Sequence, residues 1–255
     1  MKAPYRNDHP ENYSRRRPEV VYCRAERETK AKKILAVLSD FLPAPLDQLG
    51  VLDLGCSSGI ITHFLGPHFG TVTGLDIDRE ALTFAARTKA LNAGFTCADA
   101  LELPFRGEYF DVVICAHVYE HVPDSERLMN EIYRVLKKEG ICFFAAGNRL
   151  RLVEPHYGLP MLSVLPRARA DGYLRLLGLG KRYQEKHLTY CKLKQLVSRF
   201  RLTDYTLKII RDPGKFAATD LCVPGSLKQG LALFFCRVAY GLVPTYIFIL
   251  KKVKP

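Results

Sequence analysis

The sequence predicts an α/β fold, a largely parallel sheet with helices on both faces, and three observations carry that prediction. Between residues 50 and 146, short strand-like apolar runs alternate with helix-like segments. One of those runs, Val112-Val113-Ile114, is continuously apolar, as expected of a central parallel strand covered on both sides. A glycine-rich turn stands between the first strand and the first helix of the series, at the carboxyl end of a strand, where sheets of this kind bind ligands. The 255 residues suit one large domain with additions, and no internal repeat or low-complexity tract is visible.

Each element has its own signal. Val21, Ala25, Ile34, Leu35, Val37, Leu38 and Leu42 recur at helical spacing over residues 20–42, and Pro43 and Pro45 close that helix. Residues 50–54 form a short buried strand and 59–65 open a helix. Residues 71–76 form a second strand. A helix over 79–93 is entered through Asp78 as N-cap and closed near Gly94. Strands follow at 95–98 and 110–116. The helix at 125–138 carries Leu128, Met129, Ile132, Val135 and Leu136 on one side, and Gly140 marks its end before a strand at 141–146. Residues 148–188 break this rhythm, being rich in Pro, Gly and Arg. Helix resumes at 188–200, strands are expected at 206–211 and 245–253, and an apolar helical connection lies around 227–242.

Charge is segregated along the chain. The total is +12, yet residues 34–147 hold 8 basic against 15 acidic residues, net −7. Residues 1–33, 148–200 and 201–255 carry +5, +8 and +6. An acidic core with basic additions fits an anionic partner: an acidic substrate, a phosphate-bearing carrier or a membrane surface. The eight cysteines include no C-x-x-C pair and several lie in apolar runs, so they read as reduced core thiols of a cytoplasmic protein. No His/Cys/Asp/Glu cluster has metal-ligand spacing, and no metal is expected. The polar, Arg-rich beginning has no apolar core of a signal peptide. The apolar stretch 231–250 contains Arg237 and Pro244, which argues against a membrane span and leaves peripheral membrane contact through this segment as the expectation.

The motifs that carry chemistry begin with VLDLGCSSG, residues 51–59: a strand, an acidic residue, a glycine-rich turn and a helix start. Gly55 permits a tight turn and close backbone approach, and the helix after Gly59 presents unpaired N–H groups. Asp76, in GLDID, ends the second strand 23 residues after Asp53 and can accept hydrogen bonds from two ribose hydroxyls. Ile77 follows, placed to pack on an adenine face. Asp99, in CADALELPF, ends the third strand, where its side chain or the Ala100 amide reaches an adenine edge. Two other chemistries use similar residues. Gly55-Cys56-Ser57-Ser58-Gly59 fits G-x-S-x-G, but a nucleophile elbow normally follows a longer run of strands. A nicotinamide site wants G-x-G-x-x-G, which Ser57 and the G-x-x-x-G spacing fit poorly.

VLDLGCSSG, GLDID, ADALELPF and FDVVICAHVYEHV together resemble the successive motifs of the class I S-adenosylmethionine (SAM)-dependent methyltransferases, of methyltransferase type 11 kind, over residues 45–147. The resemblance implies a Rossmann-like, doubly wound sheet of seven mostly parallel strands whose last strand is antiparallel, and TYIFILKKV resembles that strand. It implies SAM as cofactor, held by Asp53 and Gly55 at the methionine end, Asp76 at the ribose and Asp99 at the adenine. Cys56, Ser57, Gly59, Ile77, Ala100 and Ala116 complete the expected cofactor set. Ser57 departs from the family pattern, where glycine is usual, and makes backbone approach less free.

On the acceptor side, His117, His121 and His156 are candidate bases for an acceptor that must lose a proton. Arg149, Arg151, His156 and Tyr157 are the expected acceptor contacts, in an insertion where arginines suited to carboxylate or phosphate interleave with apolar and aromatic residues. The expected division is therefore a helical cap at 1–45, a SAM-binding core at 46–147, an acceptor-covering insertion at 148–188 and a C-terminal part of the same domain at 189–255. The expected acceptor is small or lipid/carrier-linked and anionic. No nucleobase-methylation signature follows the fourth strand, where ICAHVY stands, and nucleic acid is the weaker expectation. A SAM-binding scaffold without catalysis and a membrane-surface binding protein are the alternatives.

Overall fold

A computed structural model describes residues 13–43, 45–88, 90–155, 157–179 and 182–253, apart from the side chain of Arg16. The elements in chain order are α1 (Tyr13–Arg16), α2 (Pro18–Val21), α3 (Arg24–Phe41), β1 (Gly50–Leu54), α4 (Ile60–Leu65), β2 (Thr71–Asp76), α5 (Arg79–Ala85), β3 (Ala93–Cys97), β4 (Phe110–Ala116), α6 (Ser125–Val135) and β5 (Leu136–Gly147). They continue with β6 (Val153–Glu154), β7 (Leu159–Pro160), α7 (Arg167–Leu176), α8 (Tyr190–Leu196), β8 (Phe200–Asp204), α9 (Thr206–Arg211), α10 (Leu227–Val238) and β9 (Thr245–Lys252). Seven strands form one sheet in the order β3-β2-β1-β4-β5-β9-β8, and β6 and β7 form a separate two-stranded hairpin. β9 runs antiparallel to both of its neighbours, so the last strand in the chain is the one reversed strand of the sheet. The strand order turns back between β1 and β4. That switch point separates the two outgoing loops and opens a crevice at the strands' carboxyl ends.

The two-residue period of the strands sorts the core onto the two faces. Val51, Val112, Ile114 and Phe143 pack toward Ile34, Leu38, Ile61 and Leu65 of α3 and α4, while Leu52, Val113, Cys115 and Phe144 pack toward Leu128 and Ile132 of α6 and Leu193 of α8. Ile114 is fully buried in the central strand. Ile114→Ala is expected to lower stability by about 2–5 kcal/mol, the range for truncating a buried aliphatic residue, read as a lower urea midpoint at unchanged slope.

Three sequence expectations are corrected. The helix expected over 79–93 stops at Ala85, and Gly94 lies inside β3 rather than ending a helix. Only Ala81, Leu82 and Ala85 have a core to cover, and the chain must return at Asn92 (φ 59°) to pair with β2. The helix expected over 125–138 stops at Val135. Glu139 (φ 64°) and Gly140 belong to an irregularity in β5, where the register against β4 jumps from Leu136 to Ile141. Residues 206–211 are helix α9, not a strand. Asp204 Oδ1 accepts the Thr206 N–H at 2.9 Å and Thr206 and Ile209 are buried three apart, while the edge strand β8 precedes them.

All eight cysteines are unbridged; Cys56, Cys115, Cys142, Cys222 and Cys236 are buried, whereas Cys97 and Cys191 are exposed rather than core. Among the described residues no helix is long and apolar enough to cross a membrane.

Candidate functional site

The carboxyl ends of β1, β2 and β4 converge on a cleft of about 2030 Å³, closed on its other sides by α1–α3, the 148–188 insertion and the α9–α10 region. Single small-molecule pockets run to roughly 300–1,000 Å³, so this cleft has room for two ligands side by side.

The glycine-rich turn forms its floor. Gly55 (φ 74°) and Gly59 (φ 71°) adopt backbone that L-residues rarely occupy, and Ser57 shares it at φ 52°. A Cβ on Gly55 would stand 2.7 Å from Val118 Cγ2, so the turn and the loop after β4 are fitted to each other. The Ser57 departure is accommodated: its N–H donates to Asp76 Oδ2 at 2.7 Å, and the neighbouring Ser58 hydroxyl donates to Val21 O at 2.6 Å. The second bond ties α2 across the turn, and the Ser14 N–H on Asp78 Oδ2 at 2.8 Å ties α1 to the start of α5. Asp78 is the N-cap its position predicts, accepting from the Glu80 and Ala81 N–H groups.

Asp76 is therefore left to face the cleft. Its Oδ2 holds Ser57 N–H at 2.7 Å and its Oδ1 holds Asp78 N–H at 2.8 Å. Burial raises this carboxyl above the ordinary value, and the backbone N–H groups oppose the rise. Gly55, Ser57, Asp76, Ile77, Asp99, Ala100 and Ala116 all line the cleft. Asp53, Cys56 and Gly59 do not; they stand behind the turn. Asp53 is buried, with Thr62 Oγ1 donating to its Oδ2 at 2.7 Å. Burial lifts Asp53 to about 6, against the Thr62 hydrogen bond and the charge of Arg27. Asp99 Oδ1 accepts the Leu101 N–H at 2.9 Å, which fixes the turn after β3.

At the end of β4 the chain places a histidine–carboxylate pair. His117 (φ 60°) donates its backbone N–H to Ala145 O at 2.9 Å, and its Nδ1 lies 3.1 Å from Glu120 Oε1. The His117 side chain is 39% exposed, so Nε2 stays accessible beside a carboxylate that is 1% exposed. Burial alone would raise Glu120, but the His117 hydrogen bond and the charges of His117, His121 and His187 outweigh it and hold the carboxyl down at about 2. His121 also lines the cleft, its ring 6.0 Å from that of Tyr13. The third candidate base and acceptor contact, His156, lies outside the described residues.

Of the remaining acceptor candidates, Tyr157 and Arg151 line the cleft and Arg149 does not. The Arg149 N–H donates to Leu188 O at 2.9 Å, and its carbonyl accepts the Ser163 hydroxyl. Arg151 is buried, with Nε on Asn148 O at 3.2 Å and a terminal nitrogen on Pro244 O at 3.1 Å, so it braces the end of β5 while bordering the cleft. Sequence reasoning missed Glu120, Thr62, Arg27, Arg17 and Arg182. Only Glu120 had a usable signal, its three-residue spacing from His117. Arg27 lines the cleft with its Nε on Val20 O, and Arg17 and Arg182 line it as well. Among the described residues, no three His, Cys, Asp or Glu side chains converge as a metal site would need.

Comparison with known proteins agrees with this geometry. Residues 52–144 match the family model described as "Methyltransferase domain". A ubiquinone biosynthesis O-methyltransferase of Pseudomonas entomophila is 36% identical over 135 residues, 48% of this chain and 55% of that protein. The protein of that name from Coxiella burnetii is 33% identical over 102 residues, 39% of this chain and 44% of that one. The chain thus spans about half the length of the curated relatives it matches. A solved SAM-dependent methyltransferase from Methanosarcina mazei superposes with a TM-score of 0.56 at 20% identity, over 86% of this chain and 98% of that one, a likeness that bears on the fold.

Proposed function

From the premise that this chain belongs to the class I SAM-dependent methyltransferases, a membership carried by its 52–144 region, we propose that it transfers a methyl group from SAM to an oxygen atom of a small or lipid-linked, anionic acceptor. The observation that carries the reading is Asp76. Its carboxylate, held by backbone N–H groups, lines the cleft at the end of β2, where it can accept from the vicinal hydroxyls of a ribose.

SAM supplies an electrophilic methyl group on a sulfonium when bound. The chain's own residues do the rest. Gly55 lets the backbone approach, Asp76 accepts from the ribose, and Ile77 and Asp99–Ala100 border the adenine end. Glu120 holds His117 with the proton on Nδ1, leaving Nε2 free to take a proton from the acceptor hydroxyl, and the Glu120 carboxylate then stabilises the imidazolium. The buried walls exclude water from the exchange. His121 is the second candidate base. The insertion, through Arg151, Val153, Tyr157, Arg182 and Gln184, covers the acceptor side, where arginine charge and apolar surface alternate. The oxygen acceptor draws support from the relatives, whose names specify O-methylation in ubiquinone biosynthesis. A lipid-linked acceptor accords with the apolar lining by Ile34, Phe143, Ile209 and Ile247, and cytoplasmic residence with peripheral membrane contact is part of the same reading.

The test is methyl-labelled SAM incubated with a panel of anionic phenols, carboxylates and prenylated phenols, read as label transferred and SAM demethylated. Transfer to an oxygen of an anionic member supports the proposal. Saturable SAM binding with no transfer to any member favours the scaffold alternative.

Donor affinity should also depend on pH. Asp53 titrates near 6 in the free protein, and a bound donor carrying sulfonium and ammonium charge favours its ionised form. SAM affinity is expected to be highest above pH 6 and to fall as pH drops from about 7 to about 5, where Asp53 becomes protonated. Asp53→Asn should flatten that profile in calorimetric titrations. A wild-type affinity constant over this range would remove Asp53 from the donor's electrostatics.

A further inference from the structure

Helix α10 packs the wrong way round for a helix on a core. Its buried side chains are Gln229 and Cys236. Gln229 Nε2 donates to Ile210 O at 2.8 Å and Arg211 O at 3.0 Å, and its Oε1 accepts the Gly225 N–H at 2.7 Å. A polar clamp therefore holds the helix to α9. The apolar positions Leu227, Leu231, Phe234 and Val238 follow the spacing of one helical face and point outward, at 81%, 60%, 65% and 62% exposure, with Phe235 beside them. Leu221, Val223 and Leu242, in the flanking turns, are exposed as well. By contrast α6 buries its stripe of Leu128, Met129, Ile132 and Val135. Scattered exposed apolar residues need no explanation, but a continuous helical stripe of this length marks an interaction surface.

We propose that this stripe docks on an anionic lipid surface. Charge selects that occupant. Lys228 and Arg237 lie on the two flanks of the stripe, and residues 221–253 contain no acidic residue. A helix with an apolar face bordered by cations is the pattern of an element lying in a membrane interface. A second copy of the chain packed on the same face about a two-fold axis would bring these cations together with no carboxylate of the segment to pair them. The position also matters. Lys228 and Ala232, on the neighbouring side of the same helix, line the cleft together with Leu221 and Cys222, so the docked face borders the cleft wall. A lipid-linked acceptor then enters from the interface without crossing water. That consequence rests on the methyl-transfer reading; the docking itself does not.

The experiment is co-sedimentation of the full chain with phosphatidylcholine vesicles, with and without about a third phosphatidylglycerol, at low and physiological salt. Wild type is expected to sediment with the anionic vesicles. The double variant Leu231→Asp/Phe234→Asp should lower the partition coefficient at least about tenfold while leaving affinity for S-adenosylhomocysteine (SAH) unchanged, which also reports that it folds. Lys228→Gln/Arg237→Gln should reduce binding about tenfold at low salt and remove most of its salt dependence. Wild type remaining in the supernatant with anionic vesicles, or an Asp variant that sediments as well as wild type, overturns the proposal. A dimer in sedimentation velocity that the Asp variant dissociates, without vesicle binding, overturns it in favour of a second copy. Vesicle binding by a chain that takes up no SAH upholds the docking face and removes the methyl-transfer reading instead.

Discussion

Replacing Asp76 by Ala is expected to weaken binding of SAM and SAH by about 1.5–3 kcal/mol, the scale of hydrogen bonds to a charged group, or roughly ten- to a hundred-and-fiftyfold in Kd. The carboxylate has two duties, and both end with the substitution. Toward the protein it holds the Ser57 and Asp78 N–H groups, which fix the glycine-rich turn and the entry to α5. Toward the cleft it accepts from the ribose. The duties separate with a second variant. Asp76→Asn keeps a carbonyl oxygen for one backbone N–H but loses one ribose acceptor and the charge, so it should fall between Ala and wild type. Calorimetric titration of SAH measures all three, with the urea midpoint as the control for folding. Equal affinities in wild type and Asp76→Ala would take Asp76 out of the ribose role.

Glu120→Gln is expected to lower kcat by about a hundredfold while changing SAH affinity little, because it disarms a proton acceptor rather than a binding contact. The His117 ring loses the anion that orients Nδ1. Nitrogen-15 NMR of the ring reads this without an acceptor: the neutral ring should hold its proton on Nδ1 in wild type and shift toward the Nε2 tautomer in Glu120→Gln. An unchanged His117 tautomer would leave Glu120 as a structural carboxylate only. Stability carries the same signature with a definite sign. Glu120 titrates at about 2 in the folded chain, below its ordinary 4.5. Its contribution to stability is therefore present in full above about pH 4.5 and is lost as pH falls from there toward 2. Glu120→Gln should be less stable than wild type at neutral pH, with the difference shrinking on acidification.

The strands that carry the proposed donor site were legible because each strand-like segment ends at a turn or polar residue: Leu54 before Gly55, Asp76 after Gly74-Leu75, and the unbroken apolar run Val112–Ala116 before His117. Asp78 was legible as a cap because its side chain needs only neighbours two and three residues on. β9 was legible as a run of β-branched and aromatic residues, although its antiparallel direction followed from the family resemblance and not from its own residues. Residues 206–211 were misread because their β-branched content, Thr206, Ile209 and Ile210, outweighed the i, i+1, i+3, i+4 spacing of Thr206, Leu207, Ile209 and Ile210, which is helical; the turn in which Asp204 Oδ1 accepts the Thr206 N–H and the packing of Ile209 accord with the helix. The acceptor side was the least legible part. Arg149 and Arg151 are two apart in sequence, yet only Arg151 borders the cleft; the Arg149 backbone is held by Leu188 O and the Ser163 hydroxyl instead. The Thr62 hydroxyl meets Asp53 from α4, and the charge of Arg27 on α3 acts on the same carboxyl, relations that no local spacing encodes.

The central claim is that the crevice between β1, β2 and β4 is a SAM site, and calorimetric titration of SAH into the purified chain at pH 7.5 tests it most directly. The expected result is a single saturable site with a Kd in the micromolar range, displaced competitively by SAM and weakened at least about tenfold by Asp76→Ala. No measurable heat and no displacement at millimolar SAH, from a chain that unfolds cooperatively in urea, would contradict it.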